Sequence, residues 1–198
     1  MIDENSTKAE VLAAVKRNGR VLAFEREEFQ GDREIVLEAV KQKGDVLDYA
    51  SKELRADKGV VLAAVTQDGY ALQYASWELC GDKDVVLAAV NQGGFALKFA
   101  SEALRGDREV VLVAVKQSGF ALRYASEALK GDKEVVMEAV GQLGSVLQYA
   151  SDDLKNDKDV VLIAMKRDWP TMRYASAPLQ YEMAQLWIER MEQEVKND

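Results

Sequence analysis

A 25-residue period runs through this chain and constrains its fold more than any other feature. Asp32, Asp57, Asp82, Asp107, Asp132 and Asp157 stand 25 residues apart, and Gly19, Gly44, Gly69, Gly94, Gly119 and Gly144 keep the same interval. Leu22 to Leu147 repeat in step, as do Phe24, Tyr49, Tyr74, Phe99, Tyr124, Tyr149 and Tyr174, and six serines follow from Ser51 to Ser176. An unbroken period of this length marks a stacked array, in which each unit buries its apolar face only against its neighbours. Copies begin at about residues 7, 32, 57, 82, 107, 132 and 157, so the 198 residues read as one repeat domain.

Position 1 of the unit is its Asp. The unit runs Asp-basic-acidic-Val-Val-Leu-x-Ala-Val-x-Gln-x-Gly, then x-Ala-Leu-x-Tyr-Ala-Ser-x-x-Leu. The first half predicts a helix of about ten residues, with Asp capping its N–H groups and Gly closing its end in a left-handed conformation. Positions 5, 6, 8 and 9, such as Val111, Leu112, Ala114 and Val115, give an apolar stripe at helical spacing. The second half predicts a shorter helix that buries Leu122, Tyr124 and Ala125. Pro178 falls two residues after Ser176, which a continuous helix interior would not accept, so each Ser is expected to start a separate turn. The fold class is therefore all-α: a solenoid of about seven helical repeats.

The ends differ from the middle. In the first copy Glu10 replaces the usual Val, and Glu25-Arg26 replaces Ala-Ser, as expected of a polar N-terminal cap with no repeat before it. Trp169-Pro170 replaces the last Gly turn, and a helix over about 182–196, with Met183, Trp187, Met191 and Val195 on one stripe, is expected to cap the other end. The array reads as complete at both ends.

The stretch from Asp107 to Leu129, and above all the Leu-x-Tyr-Ala-Ser signature, resembles domain-of-unknown-function family 4116. Its short helical repeats recur in tandem in proteins of microbial eukaryotes and in some effectors of intracellular bacteria. The likeness covers about residues 7–181 and departs at Glu25-Arg26 and Trp169-Pro170. It implies a helical repeat array and brings no activity with it.

Chemistry is scarce. The chain has no histidine, which removes His-based nucleophilic triads, His general bases and most zinc sites. One cysteine, Cys80, allows no internal disulfide, in keeping with the cytoplasm or another reducing intracellular compartment. It takes a position where other copies carry Arg105, Lys130 or Lys155, so a surface substitution explains it better than a reactive thiol. The Asp ladder reads as helix caps rather than cation ligands, and the glutamines Gln42, Gln67, Gln92, Gln117 and Gln142 as hydrogen-bonding partners between repeats. No cofactor or metal is expected. A formal charge of −8 speaks against nucleic acid as a partner, no apolar run is long enough for membrane insertion, and the N-terminus lacks the pattern of a signal peptide.

Function should reside in positions the architecture does not need. Positions 3, 7, 10 and 14 share one face if helical phase continues across the turn. That face is polar in the outer copies, with Glu38, Lys41 and Asp45 near one end and Glu138, Gly141 and Ser145 near the other. The middle copies read Ala63-Thr66-Tyr70, Ala88-Asn91-Phe95 and Val113-Lys116-Phe120, and Trp77 adds an aromatic at an otherwise polar position. Two readings compete for the aromatics. They line an interaction patch, or each packs on the ring four residues later: Tyr70 on Tyr74, Phe95 on Phe99, Phe120 on Tyr124. The expected function is a non-catalytic scaffold or accessory subunit that binds another protein or complex through these positions. The alternatives are a purely structural spacer and an enzyme with a carboxylate- or Tyr/Lys-based site.

Overall fold

A computed structural model describes residues 6–185 and residue 188. Seven ten-residue helices recur along it: α1 (Lys8–Arg17), α2 (Arg33–Gln42), α3 (Lys58–Gln67), α4 (Lys83–Gln92), α5 (Arg108–Gln117), α6 (Lys133–Gln142) and α7 (Lys158–Arg167). From α2 onward each is capped by the Asp before it, whose carboxylate accepts backbone N–H groups of the first turn, as Asp107 does from Glu109 and Val110. An extended residue at position 12 closes each helix, with φ −162 to −142 and ψ 101 to 117. A six-residue 3-10 helix follows, as at Gly94–Phe99 and Gly119–Tyr124. An extended Ala-Ser step then leads into a one-turn piece such as Glu127–Lys130, where the Ser126 hydroxyl accepts from Leu129 N–H. The second helix is thus broken at the Ser, as Pro178 implied.

Ten-residue helices are too short to hold themselves together, so neighbours must. Each α helix packs on the next one, each 3-10 helix on the next 3-10 helix, and each 3-10 helix also against the α helix that follows it. Val110, Val111, Ala114, Val115 and Leu122 are completely buried in the middle of this stack. The buried stripe is positions 4, 5, 8 and 9, not 5, 6, 8 and 9. Those four form one contiguous arc between flanking helices, whereas position 6 lies at its edge and Leu112 is half-buried. In the 3-10 segment Gly119 and Leu122, three apart, are buried together with Ala121, while the larger Tyr124 is left half-exposed.

The periodic glycines have a different cause from the one expected. No described residue has a positive φ, so none closes a helix in the left-handed region. Instead each begins a 3-10 helix directly against the next repeat. A Cβ on Gly119 would stand 2.5 Å from the Ala139 carbonyl oxygen and one on Gly19 2.7 Å from that of Ala39. The same approach frees the glycine N–H for the glutamine ladder. Gly119 donates to Gln142 Oε1 at 2.9 Å, while Gln142 Nε2 donates to the Lys116 carbonyl at 3.0 Å. Gln42 joins Gly19 and the Val15 carbonyl in the same way.

Two further ladders tie the repeats. Each Ser N–H from Ser51 to Ser176 donates to a carbonyl of the preceding one-turn piece, as Ser126 does to Arg105. The base at position 2 reaches the cap of the next repeat: Lys58 to Asp82 and Asp84, Lys83 to Asp107 and Glu109, Arg108 to Asp132 and Glu134.

Both ends follow the expected logic. Glu10 is exposed and closes a capping box with Thr7 at 2.8 Å, and Arg26 donates to the Ser6 carbonyl and lies over the Phe29 ring. At the other end Trp169–Tyr174 keeps the 3-10 turn despite Trp169-Pro170. Residues 177–185 are helical, so the final helix starts about five residues earlier than expected, where other repeats have their one-turn piece. Met183 is buried and Glu182 extends the ion-pair ladder to Lys158 at 2.6 Å. Trp187, Met191 and Val195 lie outside the described residues.

Candidate interaction surface

Once these ladders have taken their residues, few conspicuous side chains remain unexplained by the fold. The Asp, Ser and Gly columns, the bases at position 2 and the glutamines Gln42, Gln67, Gln92 and Gln142 serve capping or inter-repeat contacts. Among the described residues no group of three or more carboxylates and thiols could hold a metal ion. Cys80 is half-buried, its thiol points at the Leu72 carbonyl at 3.5 Å, and burial together with Glu78 pushes its pKa up. It is held as a neutral thiol, poorly suited to nucleophilic work.

The residues expected on one face divide between two ladders. The extended residue at position 12 resets the helical phase, so positions 7 and 10 do not continue into position 14. Ala63 and Thr66 line a groove of about 480 Å³ with Leu62, Gln67 and Lys41, on the α-helix ladder. Ala88, Asn91 and Val113 occupy the equivalent places on α4 and α5. Trp77 stands apart on a one-turn piece, 78% exposed.

Tyr70, Phe95 and Phe120 are brought together on the 3-10 ladder. Tyr70 stacks on Phe95 with ring centroids 6.5 Å apart, and Phe95 on Phe120 at 5.5 Å. Each also meets, edge-on, a ring 29 residues further along: Tyr70 with Phe99 at 6.1 Å, Phe95 with Tyr124 at 6.4 Å and Phe120 with Tyr149 at 5.5 Å. The ring partner thus lies in the next repeat and not four residues ahead. In a 3-10 helix residues three apart align, so position 14 sits over 17 and turns away from 18 of its own turn. The amides Gln73 and Gln148 show this alignment, donating to the carbonyls of Tyr70 and Ser145.

The position 18 aromatics, read from sequence as core, are therefore half of this surface. Phe24 is 90% exposed, Tyr49 is exposed, and the rest of the column from Tyr74 to Tyr174 is half-buried. Their recurrence was visible, but recurrence is equally what a core residue shows. Charge decorates the rings unevenly. Burial and the carboxylates of Asp48 and Asp45 raise the Tyr74 pKa, whereas Lys98 lies 5.4 Å from the Phe99 ring and Arg123 about equally far from those of Tyr124 and Tyr149, at 5.9 and 6.0 Å. Among the described residues no helix is long and apolar enough to cross a membrane.

No curated protein and no solved structure matches the chain significantly. A family model, Domain of unknown function (DUF4116), matches four times, over residues 11–55, 32–80, 82–130 and 132–180. Each match spans two of the 25-residue units, and the first two share residues 32–55, as seven units read in pairs require. With the matches in register with the observed repeats from α1 to beyond α7, the chain belongs to the DUF4116 family.

Proposed function

We propose that the chain is a non-catalytic protein-interaction scaffold, free-standing or as a subunit of a larger assembly, that holds another protein across the aromatic row of its central repeats. One observation supports this above all. Position 14 carries stacked rings in repeats 3 to 5, while the same backbone position accepts Arg20, Asp45, Ser145 and Pro170 elsewhere. The fold does not need an aromatic there, and an aromatic row with a Tyr70 nearly half exposed has the composition of an interface centre. The stacking also answers the packing reading: these rings pack chiefly on one another and on the neighbouring position 18 column, leaving a shared face open.

The test replaces Tyr70, Phe95 and Phe120 by Ser in the intact chain and compares partner recovery and stability with wild type. Binding should weaken by several kcal/mol, since anchors of this kind carry about 2 kcal/mol or more each. Stability should fall by less than for Leu97→Ala, a completely buried side chain whose truncation costs about 2–5 kcal/mol. A folded triple variant that recovers the same partners unchanged would place the interface elsewhere. One that melts as early as Leu97→Ala would make the rings packing residues.

A further inference from the structure

Resting on that reading, we infer the chemistry of the partner: a linear acidic peptide segment with regularly spaced apolar side chains, its carboxylates lying over Lys98 and Arg123 and a basic end lying over Asp48. Position 17 shares an edge of the 3-10 ladder with position 14, so the residue there sits beside the ring row. Along the repeats it reads Ala23, Asp48, Gln73, Lys98, Arg123, Gln148 and Arg173. The sign thus changes from acid to base across the rings Tyr70, Phe95 and Phe120. This reversal stands out in a chain of net charge −8.

Lys98 and Arg123 are exposed, and among the described residues neither has a carboxylate partner within ion-pair distance. The contrast with position 2 is sharp, because every base there from Lys8 to Lys158 is paired. Both cations instead lie over the rings of position 18. An incoming carboxylate there meets an unneutralised cation and displaces no existing ion pair. At the other end Asp48 is likewise exposed and lines a groove of about 370 Å³ with Phe24, Tyr49 and Tyr74.

The spacing of the rings sets a second requirement. Steps of 6.5 and 5.5 Å match the interval between alternate residues of an extended chain, about 6.6 Å, and the rise of one helical turn, about 5.4 Å. A single linear segment therefore presents one apolar side chain per repeat. A folded partner with an irregular surface does not place three apolar side chains in line at that interval.

The test pans a random displayed peptide library on the immobilised full chain and remeasures the enriched sequences as fluorescent synthetic peptides. Three proteins are compared: wild type, the triple Ser variant, and Lys98→Glu/Arg123→Glu, whose exposed side chains make no ion pair to lose. Enriched peptides should be rich in Asp and Glu with apolar residues at regular intervals. Charge reversal should weaken them roughly tenfold or more, and high salt should do the same to wild type. If they lose affinity for the triple variant but bind the charge-reversed chain normally, the aromatic scaffold reading stands and the acidic-peptide inference falls. Failure to enrich any peptide, or enrichment of basic ones, also overturns it. Peptides that ignore both variants overturn both readings.

Discussion

The ladder of α helices and the ladder of 3-10 helices lie against each other through the whole array, yet they treat sequence in opposite ways. On the α ladder, positions 4, 5, 8 and 9 are completely buried in every central repeat and occupied almost entirely by Val and Ala. The 3-10 ladder keeps its inner line of Gly, Ala or Val, and Leu and an aromatic at position 18, yet lets position 14 range over Arg, Asp, Tyr, Phe, Ser and Pro. The difference teaches where register comes from. Contacts that set the spacing between repeats, namely buried Val and Ala, Gln to Gly and base to acid, accept only close substitutes, such as Arg for Lys or Glu182 for Asp. Side chains at position 14 lie on the outer edge of the 3-10 turn and meet chiefly one another and the position 18 rings, so the stack accepts many residue types there.

Two neighbouring glycines break or support this comparison most directly. A Cβ on Gly94 would overlap the Ala114 carbonyl oxygen, so Gly94→Ala must push α5 away and should cost about 1–3 kcal/mol, as overpacking does. Gly93, one residue earlier, is extended at φ −162 with nothing within 4 Å of its would-be Cβ. Gly93→Ala should be neutral or stabilise by up to about 1 kcal/mol through the unfolded chain. Denaturant midpoints of the two variants check this. Equal midpoints would mean that the repeats do not approach as closely at position 13 as described.

How much of this was legible in the sequence follows from the same pair. The column of glycines marked position 13 at once, but a left-handed cap and a close backbone approach leave the same mark, and only the packed neighbour distinguishes them. The broken second helix was legible because Pro178 has a definite backbone consequence. The choice of 3-10 over α was not, and from it came the error at position 14: an α phase sends Tyr70 to Tyr74, a 3-10 phase leaves it for Phe95 and Phe99. Register between repeats likewise left no local trace, since Arg108 and Asp132 announce their pairing only once the stack is formed.

The ion-pair ladder belongs to the α side and should respond to pH. Lys58, Lys83, Arg108 and Lys133 hold the carboxyls of Asp82, Asp107, Asp132 and Asp157 below the ordinary carboxylate range, helped by the N-cap hydrogen bonds. A group whose folded pKa is depressed binds its proton less readily in the folded chain than in the unfolded one. Its stabilisation is therefore complete above about pH 4 and is lost as pH falls through the lower folded values. The same pairing raises Lys58, Lys83 and Lys133, whose contribution holds below about pH 10.4 and fades above it. These pairs are partly exposed, so the decline in acid should be gradual and weaker in high salt. Urea midpoints that stay level from neutral pH down through the acid range would show that the ladder orders side chains without stabilising the stack.

The smallest expected effect sharpens the comparison furthest. Ser145 occupies position 14 of repeat 6, next in line after Phe120, and its carbonyl rather than its hydroxyl takes the Gln148 amide. Ser145→Phe should extend the aromatic row by one ring, stacking on Phe120 and meeting Tyr174 edge-on, as Phe120 meets Tyr149 29 residues ahead. Because position 14 lies on the outer edge, the new ring displaces nothing, and a stacked pair adds about 0.5–1.5 kcal/mol at most, against some newly ordered side chain. The net change should lie between zero and about 1 kcal/mol of added stability, and near-ultraviolet circular dichroism should register the additional ring in an ordered setting. Loss of stability comparable to Gly94→Ala would mean that position 14 is constrained after all, and that the aromatics of repeats 3 to 5 are there for packing. A neutral or stabilised variant leaves recognition as the reason three of the seven repeats carry them.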